Sequence, residues 1–409
     1  MDKYNIKTYG CKLNRADSNK IKKEADKFLT RSSEKDADLI IINSCGVIDK
    51  TERKIIKEIE RLKGGGKKVI VLGCLPYMTK KLTAADMVIE GNNSNKLIEA
   101  LSEMGLERKR AIEKGEEKER STKIISISEG CLGSCTYCGA KLARGELKSY
   151  PRDEIIRKSE QAIKSGIKEI QLTSQDLGIY GMDQGENQLI DLLTDLISIE
   201  GSFKIKLGMM NPGFIKPFTD RLLKLFSSDK LYNFLHLPVQ SGSEKILKDM
   251  KRGHTVSDFT GIINKAKRSG EFLIATDIIV GYPTETEVDF KKSLKLIEKT
   301  RPQIVNITRY SERRGTEAEK LKDLPSRIKK ERSRKLTELT KQIRIEKNRK
   351  MVGKRESVLV IRKGKGKTFL TRTATGKAVI IKNGVPGRVE EVEIVDFKHN
   401  YLIGKNVES

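Results

Sequence analysis

Apolar residues fall into two different rhythms along this 409-residue chain. Over the first hundred residues, short apolar runs alternate with stretches whose apolar positions recur every three to four residues, the signatures of strands and amphipathic helices. Strands are predicted at 4–9, 38–42, 68–72 and 87–90, and helices at 14–29, 49–62 (ending at Gly64-Gly65-Gly66) and 95–104. Runs such as DLIII and KVIVL lack polar alternation, so those strands are buried on both faces. That pattern implies a parallel sheet covered by helices.

A charged, aperiodic stretch at 107–121 reads as a linker. A second α/β series follows, with strands predicted at 124–128, 169–173, 204–209, 234–239, 273–280 and 305–310, separated by helices that include 152–165, 188–199 and 288–298. Six strand–helix units fit an open, partial (β/α)6 barrel better than a closed eight-stranded one. Residues 325–350 form a long basic helix, with 11 Lys/Arg against 3 Glu from Arg327 to Lys350. Beyond 351 the rhythm shortens to SVLVIRK, KAVIIK, VEEVEIVDF and YLIGK between glycine turns, as in a small β-barrel. The expected organisation is an α/β domain at 1–106, the linker, a barrel domain with its basic helix at 122–350, and a β-barrel at 351–409. No internal repeat is visible.

Composition narrows the function. Hydrophobic residues make up 37%, enough for real cores, so wholesale disorder is excluded. The 82 Lys plus Arg against 56 Asp plus Glu leave a net charge of +26. Self-repulsion on that scale points to a polyanionic partner, though a solvated basic surface is the simpler alternative. With no Trp and 5% aromatic residues, a large base-stacking platform is not expected. No run approaches the roughly 18 apolar residues of a membrane span. The start, MDKYNIKTYGC, has no signal-peptide core and reads directly as a strand. A cytoplasmic protein is expected, where thiols stay reduced and disulfides are rare. Its six cysteines therefore call for metal or catalysis.

Where the cysteines fall is informative. Cys11 follows the first strand in TYGC, Cys45 the second in IINSC, and Cys74 the third in VLGC. Parallel strands end on one edge of their sheet, the edge where open α/β sheets place ligands. Gly10 and Gly73 allow a sharp turn just before two of these thiols. A single cysteine there would more often be core packing. Three in the same strand-end position favour ligation, and thiolates suit zinc, Cu(I) or iron–sulfur clusters. Structural zinc wants four ligands, and none of the three histidines lies in this region. Three thiolates suit a cubane with one iron left open. The second set, Cys131-Leu-Gly-Ser-Cys135-Thr-Tyr-Cys138, is a CxxxCxxC run in the loop after IISIS, again without a fourth thiolate nearby. A zinc knuckle is the alternative there.

The CxxxCxxC run, with Tyr137 before its last cysteine, resembles the radical S-adenosylmethionine superfamily signature. With Cys11, Cys45 and Cys74 upstream, LHLPVQSGS and TDIIVGYPTETE in the barrel, and the C-terminal β-barrel, the whole chain resembles the methylthiotransferases. The resemblance implies two [4Fe–4S] clusters and S-adenosylmethionine, a radical-SAM barrel, and a TRAM-like RNA-binding barrel. In that family the Cys131/Cys135/Cys138 cluster cleaves S-adenosylmethionine to a 5′-deoxyadenosyl radical, and the Cys11/Cys45/Cys74 cluster presents the sulfur. The chemistry is cluster-based, and no separate catalytic side chain is assigned.

Other ligand contacts implied by the resemblance are Gln175, in the segment Thr173–Asp176 ending the second barrel strand, with Gln240 and Asp277 on later strands. Tyr137 and Arg144 complete the cofactor-binding set, Arg144 as a partner for a carboxylate or phosphate. Loop packing is the alternative for each. His236, His254 and His399 read as structural. Family members act on tRNA beside the anticodon or on an aspartate of a ribosomal protein, and the charge favours tRNA. CTYCGAKLARGELKSYP and LTSQDLGIYG look most like the group acting on N6-threonylcarbamoyladenosine, and Ala143-Arg144-Gly145 lacks the nearby proline common in the isopentenyladenosine enzymes. The reaction expected is C2 methylthiolation of that nucleoside at tRNA position 37, served by an unidentified reductant and sulfur donor. A non-catalytic RNA-binding zinc protein is the remaining alternative. Anaerobic reconstitution separates them: about four irons per cysteine triad and a brown chromophore are expected, and zinc alone would end the enzyme reading.

Overall fold

Leu39–Ser44, sequence LIIINS, is buried at all six positions because it lies mid-sheet with helices on both sides. The structure is a computed structural model that describes residues 1–46, 49–91, 94–108 and 121–407. Of the stretch expected as a linker, 109–120 lies outside the described residues. The chain forms two units, the first made of Met1–Glu116, Glu129–Glu146 and Ser311–Lys322, the second of Glu117–Ser128, Leu147–Tyr310 and Asp323–Ser409.

In the first unit, β1 (Lys3–Thr8), β2 (Thr30–Arg31), β3 (Leu39–Ser44), β4 (Lys68–Gly73) and β5 (Met87–Val88) make a sheet of order β2-β1-β3-β4-β5, parallel throughout. Side chains alternate between its faces. Leu39, Ile41, Ile70 and Leu72 pack with Ile21, Leu97 and Leu101 of α1 (Lys12–Ala25) and α4 (Ser94–Glu103). Ile40, Ile42, Val69 and Val71 pack with Ile55, Ile59 and Leu62 of α2 (Asp49–Gly64). The fifth strand, β2, escapes the sequence pattern because it is two exposed residues at the sheet edge. The first helix ends at Ala25 rather than 29, since Phe28 and Leu29 continue its apolar periodicity by packing into the same core from a turn. Two short helices carry no readable periodicity: α3 (Leu75–Met78), directly after Cys74, and α5 (Gly139–Arg144), directly after Cys138.

In the second unit six parallel strands form an open barrel. They are β6 (Thr122–Ser126), β7 (Glu169–Thr173), β8 (Lys204–Lys206), β9 (Phe234–His236), β10 (Leu273–Val280) and β11 (Ile304–Arg309). The sheets β8-β7-β6 and β9-β10-β11 meet through single bridges at Ile205↔Leu231 and Met209↔His236. Strands expected at 204–209 and 234–239 are cut short here. A Cβ at Gly208 would sit 3.0 Å from the Leu172 carbonyl oxygen, and Pro238 has no N–H for a ladder. Ile274, Ile278 and Val280 face the helices with Phe259, Phe290 and Ile297. The alternate positions Leu273 and Ala275 cluster on the other face with Tyr232, Phe234 and Ile304. Asp277 shares their alternation.

The C-terminal strands β12 (Arg355–Lys363), β13 (Phe369–Arg372), β14 (Ala378–Ile381), β15 (Val389–Phe397) and β16 (Leu402–Asn406) close a barrel of order β12-β13-β14-β16-β15. Its core is Val358, Val360, Val379, Ile381, Val392, Ile394 and Leu402. The four-residue β13 is the strand the sequence pattern misses. Its last residue, Arg372, donates from Nε to Glu169 Oε2 at 2.9 Å, and Tyr232 donates its hydroxyl to the same oxygen at 3.0 Å. Glu169 is fully buried at the start of β7. A buried carboxylate stripped of its cation costs about 3–5 kcal/mol. Arg372→Ala is therefore expected to lower unfolding free energy by about that much, measured by denaturant titration at pH 7. A loss no larger than an exposed ion pair, below about 1 kcal/mol, would show that the clasp is incidental.

Candidate metal centre

Register brings three thiols to one sheet edge. Thr8 pairs with Asn43, and Ser44 pairs with Gly73, so Cys11, Cys45 and Cys74 leave β1, β3 and β4 on the same side. Cys45 and Cys74 are buried and Cys11 is exposed. Gly10 (φ +120°) and Gly73 (φ +105°) sit where a side chain has no room. A Cβ on Gly10 would lie 3.1 Å from Cys45 Sγ, and one on Gly73 would lie 2.4 Å from the Ser44 carbonyl oxygen. Two buried amides hold the edge together. Asn14 Nδ2 donates to Asn43 Oδ1 (3.1 Å) and the Ser44 carbonyl (3.0 Å), and Asn43 Nδ2 donates to the Asn14 carbonyl (2.7 Å) and Ser18 Oγ (2.9 Å). Cys11 Sγ donates to Asn14 Oδ1 at 3.1 Å. Apolar periodicity does not mark these asparagines; the signal for them in the sequence is their place, three residues after Cys11 and two before Cys45.

The CxxxCxxC loop belongs to the same unit as this sheet. Its three cysteines are all half-buried. The Gly133 N–H donates to Cys131 Sγ at 3.2 Å, and a Cβ on Gly133 would lie 3.3 Å from Cys131 Sγ and 3.7 Å from Cys135 Sγ. Those two sulfurs therefore flank one point of the loop. The Cys138 N–H donates to the Cys135 carbonyl (3.1 Å), and the Ala318 N–H donates to the Thr136 carbonyl (2.9 Å), fastening the loop to the segment Ser311–Lys322. Met78, four residues after Cys74, touches both loops. A Cβ at Gly46 would meet its Sδ at 2.3 Å, and one at Gly139 would meet its Cε at 3.0 Å. One side chain thus packs beside Cys45 and beside Cys138.

The donor chemistry fits iron–sulfur clusters: two sets of three thiols in a unit that contains none of the three histidines. Among the described residues no three His, Cys, Asp or Glu side chains are gathered to hold a single metal ion. In a cubane each thiolate holds a different iron, so its donors stand farther apart than the ligands of one ion. Burial pushes the Cys74 thiol up, and Arg144 works against that rise. Arg144 is buried, bonded to Asp17, Glu129 and Cys74; this places it beside the first triad. Tyr137 is half-buried in the CxxxCxxC loop.

In the second unit, polar groups gather at the carboxyl ends of the barrel strands. Ser174 Oγ and Gln175 Oε1, just past β7, and Gln240 Oε1 are buried without hydrogen-bond partners. Each such atom costs about 1–3 kcal/mol unless something else binds it. Gln240 also holds φ +73°, which a non-glycine residue rarely adopts, while its backbone bonds Asp277 and Ile279 of β10. Asp277 Oδ1 accepts from His236 Nε2 (2.9 Å) and Asn306 Nδ2 (2.7 Å), so His236 joins this group. Asp176, fully enclosed, accepts from the N–H groups of Gly178 and Asn211, and burial pushes its carboxyl up to about 6. His254 bonds Asn211 Oδ1, and burial pulls its imidazole down to about 4. His399 accepts from Arg344 at 3.0 Å.

Three family models match in chain order: Uncharacterized protein family UPF0004 over residues 3–91, the Radical SAM superfamily over 125–297 and the TRAM domain over 349–407. Over 98% of this chain and 97% of the relative, the sequence is 48% identical to a probable threonylcarbamoyladenosine tRNA methylthiotransferase of Archaeoglobus fulgidus. It is 32% identical to the threonylcarbamoyladenosine tRNA methylthiotransferase of Homo sapiens over 98% of this chain and 73% of that one. The chain belongs to the threonylcarbamoyladenosine tRNA methylthiotransferase family. It is a radical S-adenosylmethionine enzyme, and its radical domain implies a [4Fe–4S] cluster and S-adenosylmethionine. Among solved structures, a radical S-adenosylmethionine methyltransferase from Kitasatospora setae, with cobalamin and a [4Fe-4S] cluster bound, matches with TM-score 0.57 at 11% identity. The match covers 78% of this chain and 77% of that one, a likeness of fold. No helix among the described residues is long and apolar enough to cross a membrane.

For a family member whose first three cysteines leave a sheet this tightly, the strand-end glycines should be intolerant. Gly73→Ala forces both a positive φ and a backbone clash, and is expected to destabilise the metal-free protein by at least about 1–3 kcal/mol. Gly64→Ala, in open space at the end of α2, should stay within about 1 kcal/mol of the parent. Reduced, metal-free protein in urea distinguishes them; equal midpoints would mean the edge is not sterically constrained.

Proposed function

We propose that this protein inserts a methylthio group at C2 of N6-threonylcarbamoyladenosine at position 37 of tRNA, in the cytoplasm. On this reading Cys131, Cys135 and Cys138 hold the [4Fe–4S] cluster that binds S-adenosylmethionine, and Cys11, Cys45 and Cys74 hold a second one. When bound, the clusters supply the electron that opens the sulfonium C–S bond and the sulfur that is inserted. The observation that carries the reading is that two three-thiol sets, which use all six cysteines, occur in one unit that contains no histidine, with Met78 packed against the loops of both.

The chain's own residues divide the remaining work. Ser174, Gln175 and Gln240 offer unpaired acceptors to a polar ligand, as an amino group would require. Asp277, oriented by His236 and Asn306, is placed to accept from hydroxyl or amino groups. The apolar cluster of Tyr232, Phe234, Leu273 and Ala275 keeps water from the inner face of the barrel strands. The basic helix Ser326–Arg349 and the C-terminal barrel supply cations for the tRNA backbone. A reductant and a sulfur donor complete the system. The relatives' names support this nucleoside over isopentenyladenosine or a ribosomal-protein aspartate.

Nucleoside mass spectrometry of tRNA from a deletion strain is expected to show threonylcarbamoyladenosine without its methylthio derivative. Persistence of the derivative, in a strain with no second such enzyme, would overturn the substrate. Cys135→Ala should abolish S-adenosylmethionine cleavage, whereas Cys45→Ala should retain cleavage and stop methylthiolation. Cleavage unaffected by Cys135→Ala would defeat the assignment of the two triads.

A further inference from the structure

Arg144 closes α5, six residues beyond Cys138, and its side chain is 2% exposed. Its guanidinium is divided among three partners. Nη2 donates to Asp17 Oδ2 at 2.6 Å, Nη1 donates to Glu129 Oε1 at 2.9 Å, and Nε donates to Cys74 Sγ at 3.3 Å. Asp17 lies on α1, the helix that starts beside Cys11, and its side chain is also nearly enclosed. Glu129, with a side chain 36% exposed, is at the rim.

This arrangement is uneconomical as a purely structural ion pair. A buried guanidinium opposite a buried carboxylate would normally present two parallel N–H groups to it. Here Asp17 receives Nη2, while the Nε–H goes to sulfur, a weaker acceptor. Desolvating a cation is costly, and that cost is offset in part by directing it at a thiol. A lysine, with one compact ammonium, has no fork with which to span three partners.

We infer that Arg144 is a positioning residue for the Cys11/Cys45/Cys74 centre, holding the Cys74 sulfur by an N–H···S hydrogen bond and offsetting thiolate charge there. Since α5 follows Cys138 directly, the same residue couples the placement of one triad to that of the other. The inference rests on the reading that this triad holds a cluster. Hydrogen bonds to ligating sulfur and nearby positive charge raise a cluster's reduction potential.

The test uses the full chain with Cys131, Cys135 and Cys138 all changed to Ala, so that only the first triad can load. Anaerobic reconstitution with iron and sulfide should give about four irons and an electron paramagnetic resonance signal on reduction. Failure to load would overturn the cluster reading, and this inference with it. Arg144→Met in an Asp17→Asn background, which avoids a stranded carboxylate, should then load normally but reduce less easily than Asp17→Asn alone. At the midpoint of Asp17→Asn alone the reduced-to-oxidised ratio should fall about tenfold, or 59 mV for one electron. Arg144→Lys, which keeps charge without the Nε–H, should fall between the two and serves if the double change does not fold. An iron-loaded, folded variant with the parent's potential and signal would show that Arg144 is a structural ion-pair residue only.

Discussion

Parallel pairing of Lys3–Thr8, Leu39–Ser44 and Lys68–Gly73 is the constraint on which the rest of the first unit depends. Parallel strands must leave a sheet on one side, and the Ser44–Gly73 register sends Cys45 and Cys74 out at the same level. Gly10 and Gly73 remove the Cβ atoms that would hold these ends apart, and the Asn14–Asn43 amide pair adds side-chain hydrogen bonds where the backbone ladder ends. The apolar cores above and below the sheet make this edge stiff. The placement of these three thiols is thus set by secondary structure rather than by a flexible loop.

The barrel in the second unit follows the opposite economy. Its cores are closed, yet at its strand ends Ser174, Gln175 and Gln240 keep buried polar atoms unsatisfied, and Gln240 carries a strained backbone. Fold stability alone would remove such costs. Their concentration where β7 ends and beside β10 is what a ligand-binding end of an α/β barrel looks like. Far from that end, Glu169 is enclosed with Arg372 and Tyr232, fastening the C-terminal barrel with buried charge.

Charge is used in two ways. A few cations are buried and paired, as Arg144 is with Asp17, Arg313 with Glu52, and Arg332 with Glu285. Most of the +26 surplus remains at the surface, conspicuously on Ser326–Arg349. Surface charge of that kind contributes little to folding and much to meeting a polyanion.

The sequence by itself determined the alternation of strands and helices, the three-part architecture, the CxxxCxxC loop and the strand-end position of the other three cysteines. These are properties of local periodicity and spacing, and each is carried by a contiguous run. It also carried enough family resemblance to name the chemistry. Tertiary structure alone decided what no run contains. Arg144, read from sequence as a contact for a cofactor, lies against Cys74 and Asp17, residues 70 and 127 positions away. His236, read as structural, bonds Asp277 across two strands. Met78 bridges the loops that follow Cys45 and Cys138. Partners that distant depend on which helix face and which strand end the packed sheet brings together, and periodicity is blind to that.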